Sequence, residues 1–196
     1  MSRWIEPVTL EGEHVRLVPL TLEHEHALSA TASDGELWKL WYTFVPSPEE
    51  TRAYLDTALD MRDRLGAQPF TVIDKKSGEI VGSTRYFNVE EANRRLEIGH
   101  TWYAKRVQKT SLNAEAKLLL LTHAFEQLHT IAVEFCTHFM NHASRAAIAR
   151  LGAKQDGILR NSGISRNGAY RDTVVFSIIE SEWPAVRANL KFRLDR

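Results

Sequence analysis

Residues 104–113 carry the side-chain types that bind a phosphate group. This segment joins a predicted strand that ends at Tyr103 to a predicted long helix, and it contains Arg, Gln, Lys, Thr and Ser. The first N–H groups of a helix have no partner within the helix, and the helix dipole adds partial positive charge there. A polar, basic loop that leads into a helix start is therefore a candidate phosphate site. The same pattern also fits a basic loop that only caps the helix.

The helix that would position this loop is the clearest element of the sequence. Its apolar residues recur at helical spacing and form one stripe: Ala114, Leu118, Leu121, Phe125 and Leu128. Asn113 is a favoured N-cap type, so we predict that it caps this helix. Glu115 and Lys117 fall off the apolar stripe, and we expect them on the solvated face.

The composition gives the protein no net charge, so its overall charge does not indicate a class of partner. Lys plus Arg equal Asp plus Glu at 25 each in the 196 residues, so no nucleic-acid or membrane partner is indicated and any basic site must be local. Cys136 is the single cysteine of the sequence, which fits a reducing compartment. With no apolar signal segment and no stretch long enough to cross a bilayer, the sequence predicts a cytoplasmic protein.

The other elements alternate between strands and helices and predict one α+β domain. Strands are expected at residues 15–20, 69–73, 80–87, 95–103, 130–137 and 172–179, and helices at 48–65, 141–152 and 181–194. Gly99, inside the fourth of these strands, indicates a bulge or a close approach of the backbone to another group. The aromatic run at 38–44 fits either core or the wall of a substrate groove.

Together these segments resemble the GNAT acyltransferases, and more narrowly the branch that contains the ribosomal-protein N-terminal alanine acetyltransferases. The resemblance extends from about Val8 to Leu194. It rests on residues 96–102, 108–117, 123–126, 141–148, 151–153, 156–160 and 182–184. It implies that residues 1–196 form one GNAT domain, α+β, whose mixed, splayed and mostly antiparallel sheet is flanked by helices.

The resemblance also implies acetyl-coenzyme A as co-substrate. Its pantetheine arm would pair with the strand backbone at Thr101 and Trp102 and contact Asn141. Its pyrophosphate would lie on the loop of Gln108, Lys109, Thr110, Ser111, Leu112 and Asn113. The family usually has glycine at the position of Ser111 and often a small residue at that of Asn113. Because glycine allows positive φ and close approach, donor binding is either kept through the Ser111 amide and hydroxyl or weakened.

Acetyl transfer from a thioester to an amine needs a neutral amine, a stabilised oxyanion and a protonated leaving thiolate. A backbone N–H near Thr101 or Trp102 is the candidate for the oxyanion. Glu97 on the central strand is the candidate base, acting through a water as in members of the branch. The alternative is that Glu97 is an exposed residue paired with a neighbouring arginine.

Ser144 is the candidate acid for the thiolate, since the branch has a serine three residues after the asparagine that matches Asn141. Many other family members use a tyrosine where this chain has Ile148. Ser144 is also expected to contact the donor. The alternative is that Ser144 is only a polar residue in the first turn of a helix and does not act as the acid. No metal site is predicted.

The acceptor is an amine, most simply the α-amine of a protein N-terminus. A small-molecule amine is the second interpretation, and a coenzyme A-binding module with little turnover is the third. Three arginines, Arg160, Arg166 and Arg171, either attract an acidic acceptor or solvate a hairpin. A homodimer is common in the branch.

Overall fold

The computed structural model describes residues 3–195. Within this range the strands are β1 (Leu10–Glu11), β2 (Val15–Pro19), β3 (Gln68–Asp74), β4 (Ile80–Glu90), β5 (Arg95–Tyr103), β6 (Ala132–His138), β7 (Lys154–Ile164) and β8 (Tyr170–Ile179). The α-helices are α1 (Glu25–Ser33), α2 (Thr51–Leu65), α3 (Ser111–Thr122), α4 (His142–Leu151) and α5 (Trp183–Leu194). A π-helical turn, His123–Gln127, extends α3. In this part of the chain no helix is both long and apolar enough to cross a membrane.

All eight strands of residues 3–195 belong to one sheet, in the order β1-β2-β3-β4-β5-β6-β8-β7. Neighbouring strands are antiparallel except β5 and β6, which are parallel and are connected through α3. The parallel pair is short, with three paired positions: Arg95 with Ala132, Leu96 with Val133 and Glu97 with Glu134. Beyond Glu97 the two strands separate, so the sheet is open where β5 and β6 end.

A bulge distorts β5 at the beginning of this opening. Gly99 lies opposite Arg85, but Trp102 lies opposite Ser83, so two residues of β5 face one residue of β4. One of the two, His100, has a left-handed φ of 48°. A bulge leaves ladder groups of the longer strand unpaired, so it frees backbone for another partner.

Gly99 also approaches a neighbouring side chain closely. A Cβ at this position would lie 2.6 Å from Cε1 of Phe87. Both expectations for Gly99, the bulge and the close approach, are therefore confirmed.

The start of α3 differs from the prediction by three residues. Thr110 is the N-cap, and its side-chain oxygen accepts a hydrogen bond from the N–H of Leu112 at 3.3 Å. The prediction that Asn113 caps the helix is wrong. Thr and Asn are both good cap types, and sequence alone did not choose between them. Asn113 instead lies inside the first turn of α3.

The buried face of α3 also differs from the predicted stripe. Glu115 is 7% exposed and Lys117 is 5% exposed, so the expectation that both lie in solvent is wrong. The Glu115 carboxylate accepts hydrogen bonds from the backbone N–H groups of Glu13, His14 and Val15, each at 2.8 Å. These bonds attach the middle of α3 to the start of β2, and they explain why a carboxylate is tolerated in the interior.

Two apolar clusters cover the sheet. The larger packs α3, α4 and α5 against it, and the smaller packs α1 and α2. The side chain of Trp102 belongs to the smaller cluster, where it meets Tyr54 of α2 edge to face at 6.2 Å. The end of β5 is therefore anchored on the α1–α2 side, which holds the opening in the sheet apart.

Candidate active site

A cavity of about 530 Å³ occupies the space between the separated ends of β5 and β6. This is the volume range of sites that bind small molecules. Its walls are residues 97–103 of β5, 135–138 of β6, Asn113 and Lys117 in the first two turns of α3, one side of α4 from its cap Asn141 to Leu151, the segment 42–45, and Arg171 and Thr173 of β8. Six segments that are distant in sequence thus meet at the point where the sheet opens.

The cavity brings together six of the residues predicted from sequence. They are Glu97, Thr101, Trp102, Asn113, Asn141 and Ser144. The other predicted contacts, residues 108–112, form the neighbouring loop at the start of α3. The side chain of Gln108 donates to the carbonyl oxygen of Tyr103 at 3.0 Å and so attaches this loop to the end of β5. Leu112 is buried in the core, and its N–H is occupied by the Thr110 cap.

Glu97 is a buried carboxyl group that forms no ion pair within residues 3–195. It is 4% exposed, and Oε2 accepts a hydrogen bond from Nδ2 of Asn88 at 2.9 Å. Burial raises the pKa of Glu97 to about 7, the nearby charge of Glu134 adds to this, and the Asn88 hydrogen bond opposes it. The alternative of an exposed residue paired with arginine does not hold, because Arg95 pairs with Glu134 at 3.3 Å instead. A carboxyl group with this pKa exchanges protons near neutral pH.

Glu97 also borders a second cavity of about 400 Å³. Asn88, Glu90, Arg95 and Glu134 line that cavity. Glu97 therefore lines both cavities.

The N-terminus of α4 faces the first cavity. Oδ1 of Asn141 accepts a hydrogen bond from the N–H of Ser144 at 3.0 Å, so the predicted N-cap is confirmed. The Ser144 hydroxyl makes no hydrogen bond to any of residues 3–195, which leaves it available to a ligand. The partial positive charge of the helix start favours a negative charge at this position.

Lys117 is one of two cavity residues that sequence reasoning missed. Its Nζ donates to Oγ1 of Thr101 at 2.8 Å and, more weakly, to Oγ1 of Thr84 at 3.5 Å. Burial lowers the pKa of Lys117 to about 7. The available signal was its spacing of four residues from Asn113, which places both side chains on one face of α3.

His100 was also missed, and the structure leaves it uncharged. Burial lowers the pKa of His100 to about 3, and the charge of Arg85 adds to this. Its ring meets Phe87 edge to face at 4.9 Å. A side chain with this pKa is a poor base at neutral pH, which leaves Glu97 as the stronger candidate.

The aromatic segment contributes to the cavity wall, as one of its two interpretations predicted. Tyr42 and Phe44 line the cavity. Trp41 packs edge to face on His138 at 4.8 Å, and His138 lines the cavity from β6. The segment 42–45 thus contributes two aromatic side chains to the cavity wall.

Cys136 lies beside Glu97 and Glu134. Burial and the two carboxylates raise the pKa of its thiol, so it is not a thiolate nucleophile at neutral pH. Potential ligand atoms of these three residues lie within 4.8 Å of one another. Both carboxylates already have partners, Asn88 and Arg95. That no metal binds stays a prediction.

Residues 14–154 match the family described as "Acetyltransferase (GNAT) domain". The chain belongs to the GNAT acetyltransferases. It is 29% identical, over 92% of its length and 91% of the relative, to a Bacillus subtilis (strain 168) protein that carries the provisional name ribosomal N-acetyltransferase YdaF. A GCN5-related N-acetyltransferase from Brucella melitensis superposes with a TM-score of 0.86 at 31% identity, covering 97% of this chain and 86% of that chain.

The fold is shared with Mycobacterium smegmatis RimJ, solved in complex with CoA-disulfide, at a TM-score of 0.79 and 22% identity, covering 95% of each chain. The predicted family, fold and enzyme class are thus confirmed: this is a GNAT enzyme, an acetyl-CoA-dependent N-acetyltransferase.

The loop at the start of α3 fits the diphosphate of the GNAT donor. The N–H groups of Lys109, Thr110 and Ser111 make no hydrogen bond to any of residues 3–195. Three consecutive backbone donors are therefore free at the N-terminus of a helix. The left-handed residue of this loop is Lys109, with φ of 63°, whereas Ser111 is not left-handed. Glycine at position 111 is therefore not needed for the backbone conformation of this loop; that Ser111 keeps donor binding stays a prediction.

The cavity itself also fits the donor's pantetheine arm. Oδ1 of Asn113 is buried against the cavity and has no hydrogen-bond partner among the described residues. A buried amide oxygen without a partner costs free energy, which a donor N–H recovers. The GNAT donor supplies such N–H groups as well as the activated acyl group, so the residues present fit it.

Reversing the charge of Lys109 weakens donor binding. We expect Lys109→Glu to raise the Kd for acetyl-CoA by about 5- to 10-fold at low salt, because it replaces attraction of the diphosphate by repulsion. Calorimetric titration measures this, with Lys76→Glu in the exposed β3–β4 hairpin as the control. Equal affinity of both variants would exclude Lys109 from the diphosphate site.

Removing the buried charge of Lys117 changes the pH dependence of stability. The pKa is 10.5 in the unfolded chain and about 7 in the folded protein, so burial penalises folding fully below pH 7 and the penalty fades towards pH 10.5. Lys117→Met should raise the free energy of unfolding by roughly 3 to 5 kcal/mol at pH 6. Urea unfolding at pH 6 and pH 10 measures the difference, which should shrink at the higher pH. A gain that is the same at both values would contradict a charged Lys117 in the interior.

Proposed function

We propose that this GNAT enzyme acetylates the α-amine of a protein N-terminus. The observation that carries the proposal is Glu97, a buried carboxyl group of pKa about 7 on the wall of the donor cavity. The name of one relative, a ribosomal N-acetyltransferase, indicates an acceptor on a ribosomal protein. We further propose one domain over residues 1–196, supported by the single sheet of residues 3–195, and a cytoplasmic location, supported by the single cysteine.

The free energy of proton transfer to Glu97 favours an α-amine over a lysine side chain as the acceptor. An α-ammonium of pKa about 8 transfers its proton to a carboxylate of pKa about 7 at a cost of roughly 1.4 kcal/mol. A lysine ammonium of pKa about 10.4 would cost roughly 4 to 5 kcal/mol in the same transfer. Glu97 is therefore matched to the weaker base and is a poor partner for lysine.

Three groups of the chain then share the work. Glu97 accepts the proton of the amine, directly or through one water. Backbone N–H groups at the β5 bulge, near Thr101 and Trp102, stabilise the oxyanion. Ser144 donates its hydroxyl proton to the departing sulfur at the start of α4, where the helix dipole already favours negative charge, and its oxygen takes a proton back from solvent.

The function is tested by measuring coenzyme A release with three classes of acceptor at pH 7.5. They are peptides with a free α-amine and no lysine, the same peptides N-blocked with one internal lysine, and small amines. We expect kcat/KM to be highest for the first class. Higher kcat/KM with small amines would favour the second interpretation. Tight acetyl-CoA binding without release for any class would favour the module with little turnover.

A further inference from the structure

The structure separates the three arginines that follow α4 in sequence. Nε of Arg160 pairs with Asp172 at 2.6 Å, and Nη1 of Arg166 pairs with Glu50 at 3.1 Å. Arg171 forms no ion pair within residues 3–195 and lines the active-site cavity instead. The charges of Arg160 and Arg166 are thus paired at the surface, whereas the charge of Arg171 faces the active-site cavity.

The surroundings of Arg171 leave most of its donors unused. Its Nε donates to Oγ1 of Thr173 at 3.2 Å, and its Cζ lies 5.1 Å above the centre of the Phe44 ring. The ring contact fixes the plane of the guanidinium without using its N–H groups. The Arg171 side chain is only partly exposed and forms no ion pair within residues 3–195, so its charge has lost some of its hydration, and an anion that binds there recovers that cost.

The other groups near Arg171 indicate the type of anion. His138 lies in the same wall, and burial lowers its pKa, so it adds no positive charge at neutral pH. Glu97 lines the same cavity and is partly ionised at pH 7. One guanidinium opposed by a partial negative charge suits a singly charged carboxylate better than a dianionic phosphate.

We propose that Arg171 binds a carboxylate of the acceptor, so that the preferred acceptors are amines bearing a carboxylate close to the reacting nitrogen. The inference rests on the proposed function, because it assumes an amine directed towards Glu97. The carboxylate comes either from an acidic side chain near a protein N-terminus or from the α-carboxylate of a free amino acid. Arg171 is a specificity residue here and takes no part in bond making.

Matched acceptors that differ only in charge test the proposal. One arm compares peptides with Asp or Asn at the second position, and the other compares free amino acids with their amides. We expect wild-type kcat/KM to favour the charged member of at least one pair by about 10-fold, the size of a charge-assisted hydrogen bond. Arg171→Gln should bring the ratio to about one, and Arg166→Gln, at a surface arginine already paired with Glu50, should leave it unchanged. The arm that shows the preference identifies the source of the carboxylate.

A binding measurement separates this inference from the proposed function. The N-acetylated Asp and Asn peptides are the products of the reaction, and calorimetry measures their affinity without turnover. Tighter binding of the Asp product that is lost in Arg171→Gln supports the carboxylate site even where peptide turnover is absent. Equal binding and equal kcat/KM of charged and neutral partners in the wild type would overturn it, as would a preference that survives in Arg171→Gln.

Discussion

Replacing Glu97 by Gln lowers kcat by about 100-fold or more, because a positioned general base contributes a factor of roughly 10² to 10⁴. Glutamine has nearly the same shape but accepts no proton. In the wild type kcat/KM contains a limb that rises through the Glu97 pKa of about 7 as this carboxyl group loses its proton; the acceptor amine, of pKa about 8, titrates alike with wild type and variant. In Glu97→Gln this limb of the pH profile should disappear. Steady-state kinetics between pH 5.5 and 8.5 measure both effects.

The same variant should be more stable than the wild type at alkaline pH. The pKa of Glu97 is raised from 4.5 to about 7, so its ionisation opposes folding. The penalty is absent below pH 4.5, develops between 4.5 and 7 and is complete above 7. Glu97→Gln therefore gains stability on the order of 3 kcal/mol at pH 8 and little at pH 4.5. An active site that lowers stability is the common outcome where function needs a buried, uncompensated group.

Glu134→Gln is the matched control, since this carboxylate lies opposite Glu97 on β6 but pairs with Arg95. We expect its kcat to stay within a few-fold of the wild type, with the pH limb retained. If Glu97→Gln kept full activity and the pH limb, the base would have to be sought elsewhere in the cavity.

Replacing Ser144 by Ala is the second large effect. We expect kcat to fall by about 10- to 100-fold, since the leaving thiolate loses its proton donor while the helix N-terminus still stabilises the charge. The affinity for acetyl-CoA should change less than threefold. The Ser144 N–H still donates to Asn141 in the variant, so the start of α4 that faces the cavity keeps its structure. Pre-steady-state measurement of coenzyme A release, together with titration of the donor, separates the two quantities.

Two further observations control the interpretation of Ser144→Ala. The Ser144 hydroxyl makes no hydrogen bond within residues 3–195, so the midpoint of urea unfolding should not move. Ala143 lies beside it in the same turn, and Ala143→Ser offers a hydroxyl one position away that should not restore turnover when combined with Ser144→Ala. An unchanged kcat in Ser144→Ala would remove this residue from the acid role.

Features governed by local patterns could be predicted from sequence. The bulge at Gly99 followed from a glycine inside a strand, and the Asn141 cap followed from a polar residue at the start of a short amphipathic helix. In both cases the neighbours that decide the outcome lie within a few residues.

Features governed by tertiary packing could not be predicted in this way. Glu115 is buried because its partners are the backbone amides of residues 13–15, about a hundred positions earlier. Lys117 is buried because α3 packs across the bulge that contains Thr101. Arg171 could be told from Arg160 and Arg166 only after the carboxylates that pair with those two had been placed.

A crystal structure of the complex with coenzyme A tests the placement of donor and catalytic groups most directly. We predict diphosphate oxygens within hydrogen-bond distance of the free N–H groups of Lys109, Thr110 and Ser111, and the sulfur between the separated ends of β5 and β6, beside Ser144. Coenzyme A bound elsewhere, or with its sulfur outside the cavity that holds Glu97, would contradict both the site and the roles given to its residues.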